Sequence, residues 1–173
     1  MRRLMLMRHA KAEIPMGLDR DRKLAQRGRE AAPLVGAYLK DEQLFPDLAL
    51  VSPAARTQQT WELVRAGLGA VEMREEPRLY EAPTDQLLTI VREVDPGIRT
   101  LLMVGHNPSI GELARQLVGH GDRYAFARMK QAFPTGALAV IDFAVDLWSE
   151  VEPRSGRLDR FVTPGTLGGS EDD

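Results

Sequence analysis

The 173-residue chain contains no cysteine. That absence removes disulfides, thiolate nucleophiles and Cys-based zinc or iron–sulfur sites together, and makes a reducing cytoplasm the simplest setting. Long apolar runs are also missing. Met1-Arg2-Arg3 imitates the charged start of a signal peptide, but the apolar stretch Leu4–Met7 stops at Arg8-His9. A signal core needs roughly 7–15 such residues and a membrane span roughly 18, so a buried strand is expected here, with no membrane partner. Nor is there an excess of one charge: 23 Lys+Arg stand against 25 Asp+Glu, for a net −2. A chain that coats nucleic acid needs a far larger basic surplus, so no nucleic-acid partner is expected. Lysine is scarce, 4 against 19 arginines, so a single arginine says little by itself.

What remains is an apolar content sufficient for a core and a length suited to one domain. The expected organisation is one domain over residues 1–163 and a Gly-rich, then acidic, flexible tail over 164–173. Short apolar runs alternate with amphipathic segments, the pattern of a three-layer α/β/α domain with a mostly parallel central sheet. The expected strands are Arg3–Met7, Leu48–Ser52, Val71–Glu75, Thr100–Gly105 and Ala137–Phe143. One more edge strand or hairpin is expected from Trp148–Val151 and Arg160–Val162. Helices are expected over Ala25–Lys40, with Ala31, Leu34, Val35 and Leu39 on one face, and over Ala54–Ala66, capped by Ser52 ahead of Pro53. Two more follow: Asp85–Val94, capped by Thr84, and Ser109–Val118, opened by Pro108 and closed by Gly119.

In such sheets, ligands gather beyond the carboxyl ends of the strands. Two of the three histidines fall at such ends, in Arg8-His9 and Gly105-His106-Asn107, and Arg56 lies one turn into the helix after Ser52-Pro53. Two imidazoles and two guanidiniums converging on one pocket make an anion site with a nucleophile inside it. Guanidiniums clamp phosphate oxygens as a fork. A neutral imidazole can attack phosphorus, while the second imidazole stabilises charge on the transferring group. The helix after Pro108 offers backbone N–H groups and a positive dipole end. Neither a metal nor another cofactor is required by such a donor set. The third histidine, His120, lies between glycines and reads as structural or exposed. Asn107 and Ser109 read as helix caps.

Leu6-Met7-Arg8-His9-Ala10 resembles the Arg-His-Gly signature of the histidine phosphatase superfamily. The run Val51-Ser52-Pro53-Ala54-Ala55-Arg56-Thr57-Gln58-Gln59-Thr60 resembles its Ser-Pro-x-x-Arg-x-x-x-Thr segment, and Val104-Gly105-His106-Asn107-Pro108 its second-histidine motif. Asp19-Arg20-Asp21-Arg22-Lys23-Leu24-Ala25-Gln26-Arg27-Gly28 is similar to a stretch of the small SixA-type phosphohistidine phosphatase branch. The four motifs stand in the right order over roughly residues 2–143. The resemblance implies a phosphoglycerate mutase-like fold in which His9 is phosphorylated during turnover and Arg8, Arg56 and His106 complete the phosphate pocket. Ala10 and Lys23 depart from the commonest residues of the family, Gly and Pro, at small cost. Where some branches have an acidic residue after the second histidine, this chain has Asn107. Glu81, in Arg78-Leu79-Tyr80-Glu81-Ala82, resembles the segment that supplies the acid in the mutase-like branch, and is also readable as a surface carboxylate. Lys11 and Arg22 are candidates for contact with the substrate. Lys11 equally reads as solvated, and Arg22 as a partner of Asp19 or Asp21.

The chain passes from Glu81 to a helix near Thr84 without space for a lid. An open pocket suits a phosphoryl group on a protein surface, so the expected activity is a metal-independent phosphatase acting on a phosphohistidine-bearing protein. A small phosphorylated metabolite is the alternative substrate, and a non-catalytic phospho-binding module a third reading.

Overall fold

The computed structural model describes residues 1–170. Among these, one sheet contains β1 (Arg2–Arg8), β2 (Leu48–Val51), β3 (Glu72–Glu75), β4 (Thr100–Gly105), β5 (Val118–Gly121), β6 (Leu138–Phe143) and β7 (Gly156–Val162). The strand order is β3-β2-β4-β1-β6-β7-β5. The first four run parallel, β6 is antiparallel to both β1 and β7, and β5 is parallel to β7. Parallel pairs predominate, as expected, and the sheet is covered on both faces.

Alternation along β1 explains the layers. Successive side chains of a strand point to opposite faces. Leu4 and Leu6 join one core with Leu87, Ile90 and Val91 of α3 (Thr84–Arg92), Ile110 and Leu113 of α4 (Ser109–Leu117) and Met129 of α5 (Arg123–Gln131). Met5 and Met7 join the other, with Val35 and Leu39 of α1 (Gln26–Asp41) and Trp61 and Val64 of α2 (Ala55–Val64). A strand buried on both faces reads as an unbroken apolar run, which is why Leu4–Met7 resembles a leader. Burying each such side chain contributes about 1.5–3 kcal/mol, so a charge at Met5 or Leu6 would unmake the centre of the fold.

Several expectations are corrected. The segment Trp148–Val151 is not a strand: Trp148–Glu150 is a short 3-10 turn, in which the buried indole of Trp148 donates to the Ile98 carbonyl at 2.7 Å. The edge is instead β5, and α5 follows it; neither is expected from the sequence. The buried face of α1 is Gly28, Ala32, Val35, Gly36 and Leu39, with Ala31 and Leu34 on its half-buried flank. Gly36 is there because a Cβ would lie 2.4 Å from the Val64 carbonyl oxygen, where α1 crosses α2. The tail does not leave the domain at residue 164. Gly165–Leu167 form a 3-10 turn, closed by Thr166 and Thr163 bonding each other, and Leu167 packs on the α1–α2 core. Residues 171–173 lie outside the described residues.

Candidate active site

The site lies where β1, β2 and β4 end and β6 begins. His9 directly follows β1, and neighbouring strands hold its backbone: its N–H donates to Gly105 O (3.0 Å) and its carbonyl accepts from Gly136 N (2.9 Å). Gly136 takes φ 79°, a left-handed conformation natural for glycine. The next residue is tied to α2, since Ala10 N–H donates to Thr60 Oγ1 (3.0 Å) and Thr60 donates to the Arg56 carbonyl (2.7 Å). The threonine of the Ser-Pro-x-x-Arg-x-x-x-Thr segment thus couples the His9 turn to the helix that carries Arg56.

The His9 ring nitrogen Nδ1 lies 2.7 Å from the Ala10 carbonyl oxygen. A carbonyl only accepts, so the neutral ring carries its proton on Nδ1 and its lone pair on Nε2. Burial, and then the charges of His106, Arg8 and Arg56, push the His9 pKa down to about 3. At neutral pH the imidazole is unprotonated, with a lone pair able to attack an electrophile. His106, at the end of β4, has its ring centroid 5.4 Å from that of His9. Burial and then Arg56 push its pKa down to about 4.

Arg56 is 6% exposed, at the second position of α2. Its two terminal nitrogens donate to Asp19, one to the carbonyl (2.8 Å) and one to the carboxylate (3.0 Å). Its Nε is buried with no protein partner. One edge of the guanidinium is therefore anchored, while its Nε–H is left without a protein partner. Arg8 donates to the Phe133 carbonyl at 3.2 Å. Together with Lys11, Arg22, Asn107 and Thr135, these residues line a cavity of about 220 Å³. That is below the roughly 300–1,000 Å³ of sites that engulf a small molecule, and suits a phosphoryl group with its carrier left outside.

The structure brings Arg8, His9, Arg56, His106, Lys11 and Arg22 together at this cavity. Glu81 is not brought in: it sits exposed on a turn with φ 53°, outside the lining residues. His120 lies exposed in β5, three strands from β1 across the sheet. Arg22 pairs with Asp19, donating to its Oδ1 (3.2 Å) and to the Glu13 carbonyl (2.9 Å), and also lines the cavity. Two helix starts differ from expectation. Ser52 does not cap α2, whose N-cap is Ala54; its hydroxyl turns to His106 instead. Thr84 begins α3, and its hydroxyl donates to Glu112 at 2.6 Å. The early N–H groups of α4 are taken by the chain itself, Ile110 by the His106 carbonyl and Gly111 by Asn107 Oδ1, so the side chains dominate the anion site.

Sequence reasoning missed Asp19 as a site residue. Its carboxylate accepts from Tyr80 Oη (2.6 Å), Arg56 and Arg22, which hold its pKa far below the usual carboxylate range. The signal was the Asp19-x-x-Arg22 spacing, but nothing local in the sequence ties it to Arg56, 37 residues on. Thr135 and Ser52 were missed as well.

Comparison with known proteins matches this arrangement. An uncharacterized protein of Mycobacterium tuberculosis is 37% identical over 161 residues, covering 91% of this chain and 99% of its own. A phosphohistidine phosphatase SixA homolog of Haemophilus influenzae is 28% identical over 136 residues, covering 71% and 81%. A solved structure from Nakamurella multipartitia, assigned as a phosphohistidine phosphatase SixA, superposes with a TM-score of 0.83 at 29% identity, over 94% of this chain and 96% of that one. The model of the histidine phosphatase superfamily (branch 1) matches residues 4–94, which carry Arg8, His9 and Arg56; His106, beyond the match, is returned to them by the pairing of β4 with β1. With the family model matched over more than half of its length and His9, Arg8, Arg56 and His106 meeting at one cavity, the chain belongs to the histidine phosphatase superfamily.

Proposed function

We propose that the protein is a metal-independent phosphatase that removes the phosphoryl group from a phosphohistidine on a protein. His9 Nε2 attacks phosphorus as the P–N bond to the substrate ring, protonated on its other nitrogen, breaks, and the bonding pair returns to that ring, which leaves as neutral imidazole. Arg8, Arg56 and His106 hold the equatorial oxygens as charge spreads over them. Water then attacks the phosphoryl group on His9, releasing inorganic phosphate and restoring the lone pair on Nε2. Four cationic side chains, Arg8, Lys11, Arg22 and Arg56, line the cavity, an environment that favours an anion over a metal ion.

The observation that carries the substrate class is the lack of a protonated carboxyl group among the described lining residues. Glu81 is outside, and Asp19 is kept ionised by Tyr80, Arg56 and Arg22. An alkoxide leaving group needs a proton from a general acid, whereas a substrate imidazole already protonated on its distal nitrogen leaves as the neutral ring. The cavity's small volume also favours a phosphoryl group presented by a larger body. The SixA-type relatives point the same way.

The test is a panel of phosphohistidine proteins, sugar phosphates and nucleotides, with wild type and His9→Ala, in buffer containing EDTA. Turnover of phosphohistidine proteins alone, abolished in His9→Ala, is expected. Efficient hydrolysis of a small phosphomonoester with phosphohistidine left intact would move the assignment to a metabolite. Binding without turnover would indicate a phospho-binding module.

A further inference from the structure

Ser52 is fully buried at the end of β2, and the partners of its hydroxyl are few enough to count. Oγ lies 2.7 Å from His106 Nε2 and 3.4 Å from the backbone nitrogen of Ala54. The Ala54 N–H is a donor, so towards it Oγ can only accept. The hydroxyl proton then has one acceptor within reach, the ring nitrogen of His106. Were Nε2 to carry a proton itself, two donors would face each other, or the hydroxyl proton would be buried without a partner. Nδ1 is without a protein partner in either tautomer, so the stranded hydroxyl proton is what distinguishes them; a buried unsatisfied donor costs about 1–3 kcal/mol, enough to set the equilibrium between two tautomers that differ little in free imidazole.

We propose that Ser52 is a positioning residue that fixes His106 as the tautomer with its proton on Nδ1, aiming a permanent N–H donor at the transferring phosphoryl group. Nδ1 is buried with no protein partner, and His106 lines the cavity. The other tautomer would present a lone pair to the phosphoryl oxygens and repel them. Because the ring is neutral at working pH, its tautomer decides whether it attracts or repels the ligand; a protonated ring would donate from both nitrogens whatever Ser52 did. The two imidazoles are therefore set by opposite neighbours. A carbonyl takes the Nδ1 proton of His9 and leaves its Nε2 lone pair free of it, while a hydroxyl fills the Nε2 lone pair of His106 and leaves its Nδ1 proton without a protein partner. Both carry Nδ1–H, the minor form of free histidine, but one turns its bare nitrogen to phosphorus and the other its donor.

The inference rests on the proposed phosphatase activity only for the rate it alters, and nitrogen NMR tests it without turnover. The chain has three histidines, so a 15N-histidine sample gives three ring systems, with exposed His120 as internal reference. In wild type, His106, assigned by its loss in His106→Ala, is expected to show a protonated Nδ1 and an unprotonated Nε2. In Ser52→Ala the two signals should shift towards a mixture, kcat should fall roughly 10-fold, and KM should stay within about twofold, since the donor matters most in the transition state. A protonated Nε2 in wild type overturns the proposal. So does a Ser52→Ala protein that keeps the wild-type tautomer, or one that keeps the wild-type kcat. If wild type hydrolyses no phosphorylated compound yet carries Nδ1–H and loses it in Ser52→Ala, the tautomer assignment stands and the phosphatase reading fails.

Discussion

Replacing Arg56 with lysine keeps the charge and removes the fork, and the structure says what that loses. The guanidinium has two terminal nitrogens on Asp19, at 2.8 and 3.0 Å, and a buried Nε–H with no protein partner. An ammonium has three donors on one atom. Drawn to the ionised Asp19 carboxylate, it cannot also place a donor where Nε stands. The variant therefore forgoes one charge-assisted hydrogen bond to the phosphoryl group, worth about 1.5–3 kcal/mol. At about 1.36 kcal/mol per decade, this is a loss of roughly 10- to 150-fold in kcat/KM. The assay is hydrolysis of a phosphohistidine protein, with the inhibition constant of orthovanadate measured in parallel and thermal unfolding confirming that the variant is folded. A folded Arg56→Lys protein within about threefold of wild type in both quantities would refute the assignment of Nε–H to the phosphoryl group.

Other consequences can be checked separately. Protein trapped during turnover should carry an acid-labile phosphoryl group, absent from His9→Ala, because a phosphoramidate hydrolyses in acid where a phosphoserine does not. His9 and His106 have folded pKa values of about 3 and about 4, below the ordinary 6.5, so the unfolded chain binds protons first as pH falls. Stability should be full above about pH 6.5 and decline below it by about 1.4 kcal/mol per pH unit for each histidine, until the folded values are reached. Ring-proton shifts of both that titrate near pH 6.5 would contradict this. At Gly28 a Cβ would lie 2.1 Å from the Lys11 carbonyl oxygen, so Gly28→Ala should cost about 1–3 kcal/mol in denaturant unfolding and lower activity by displacing the loop that follows His9. Ile14, Met16 and Leu18 are 83%, 99% and 70% exposed on that loop, between Ala12 and Arg22 of the cavity. Serine at all three should weaken kcat/KM for a phosphohistidine protein while leaving a small phosphoramidate unaffected; equal loss on both would speak against a protein substrate.

The legible elements are those whose burial is regular. Thr100–Gly105 is a strand over the residues that the apolar run marks, and the two-sided run Leu4–Met7 lies within β1. In α5 only Ala125 and Met129 are buried and Tyr124 is 78% exposed, too thin a stripe to show a period. In β5, Val-Gly-His-Gly lacks the alternation of a strand and is held by pairing with β7, which is distant in sequence. The same division runs through the site. Arg8, His9, Arg56 and His106 sit at strand ends and helix starts that a sequence exposes. The Asp19–Arg56 and Ser52–His106 bonds span 37 and 54 residues and depend on the loop and the sheet closing first.

The position of β1 has a consequence for how the molecule is made. It precedes both of its partners in the chain: β4, where Arg3 faces Thr100, and β6, where Met5 faces Val140. Until those segments emerge, a strand whose centre, Leu4–Met7, is apolar on both faces has neither hydrogen-bonding edge filled, and His9 has no second histidine beside it. Nascent fragments ending near residue 94 would carry His9 and Arg56 but be inert and prone to aggregate. Catalytic competence should therefore arise late in synthesis and all at once, when β6 closes the second edge of β1.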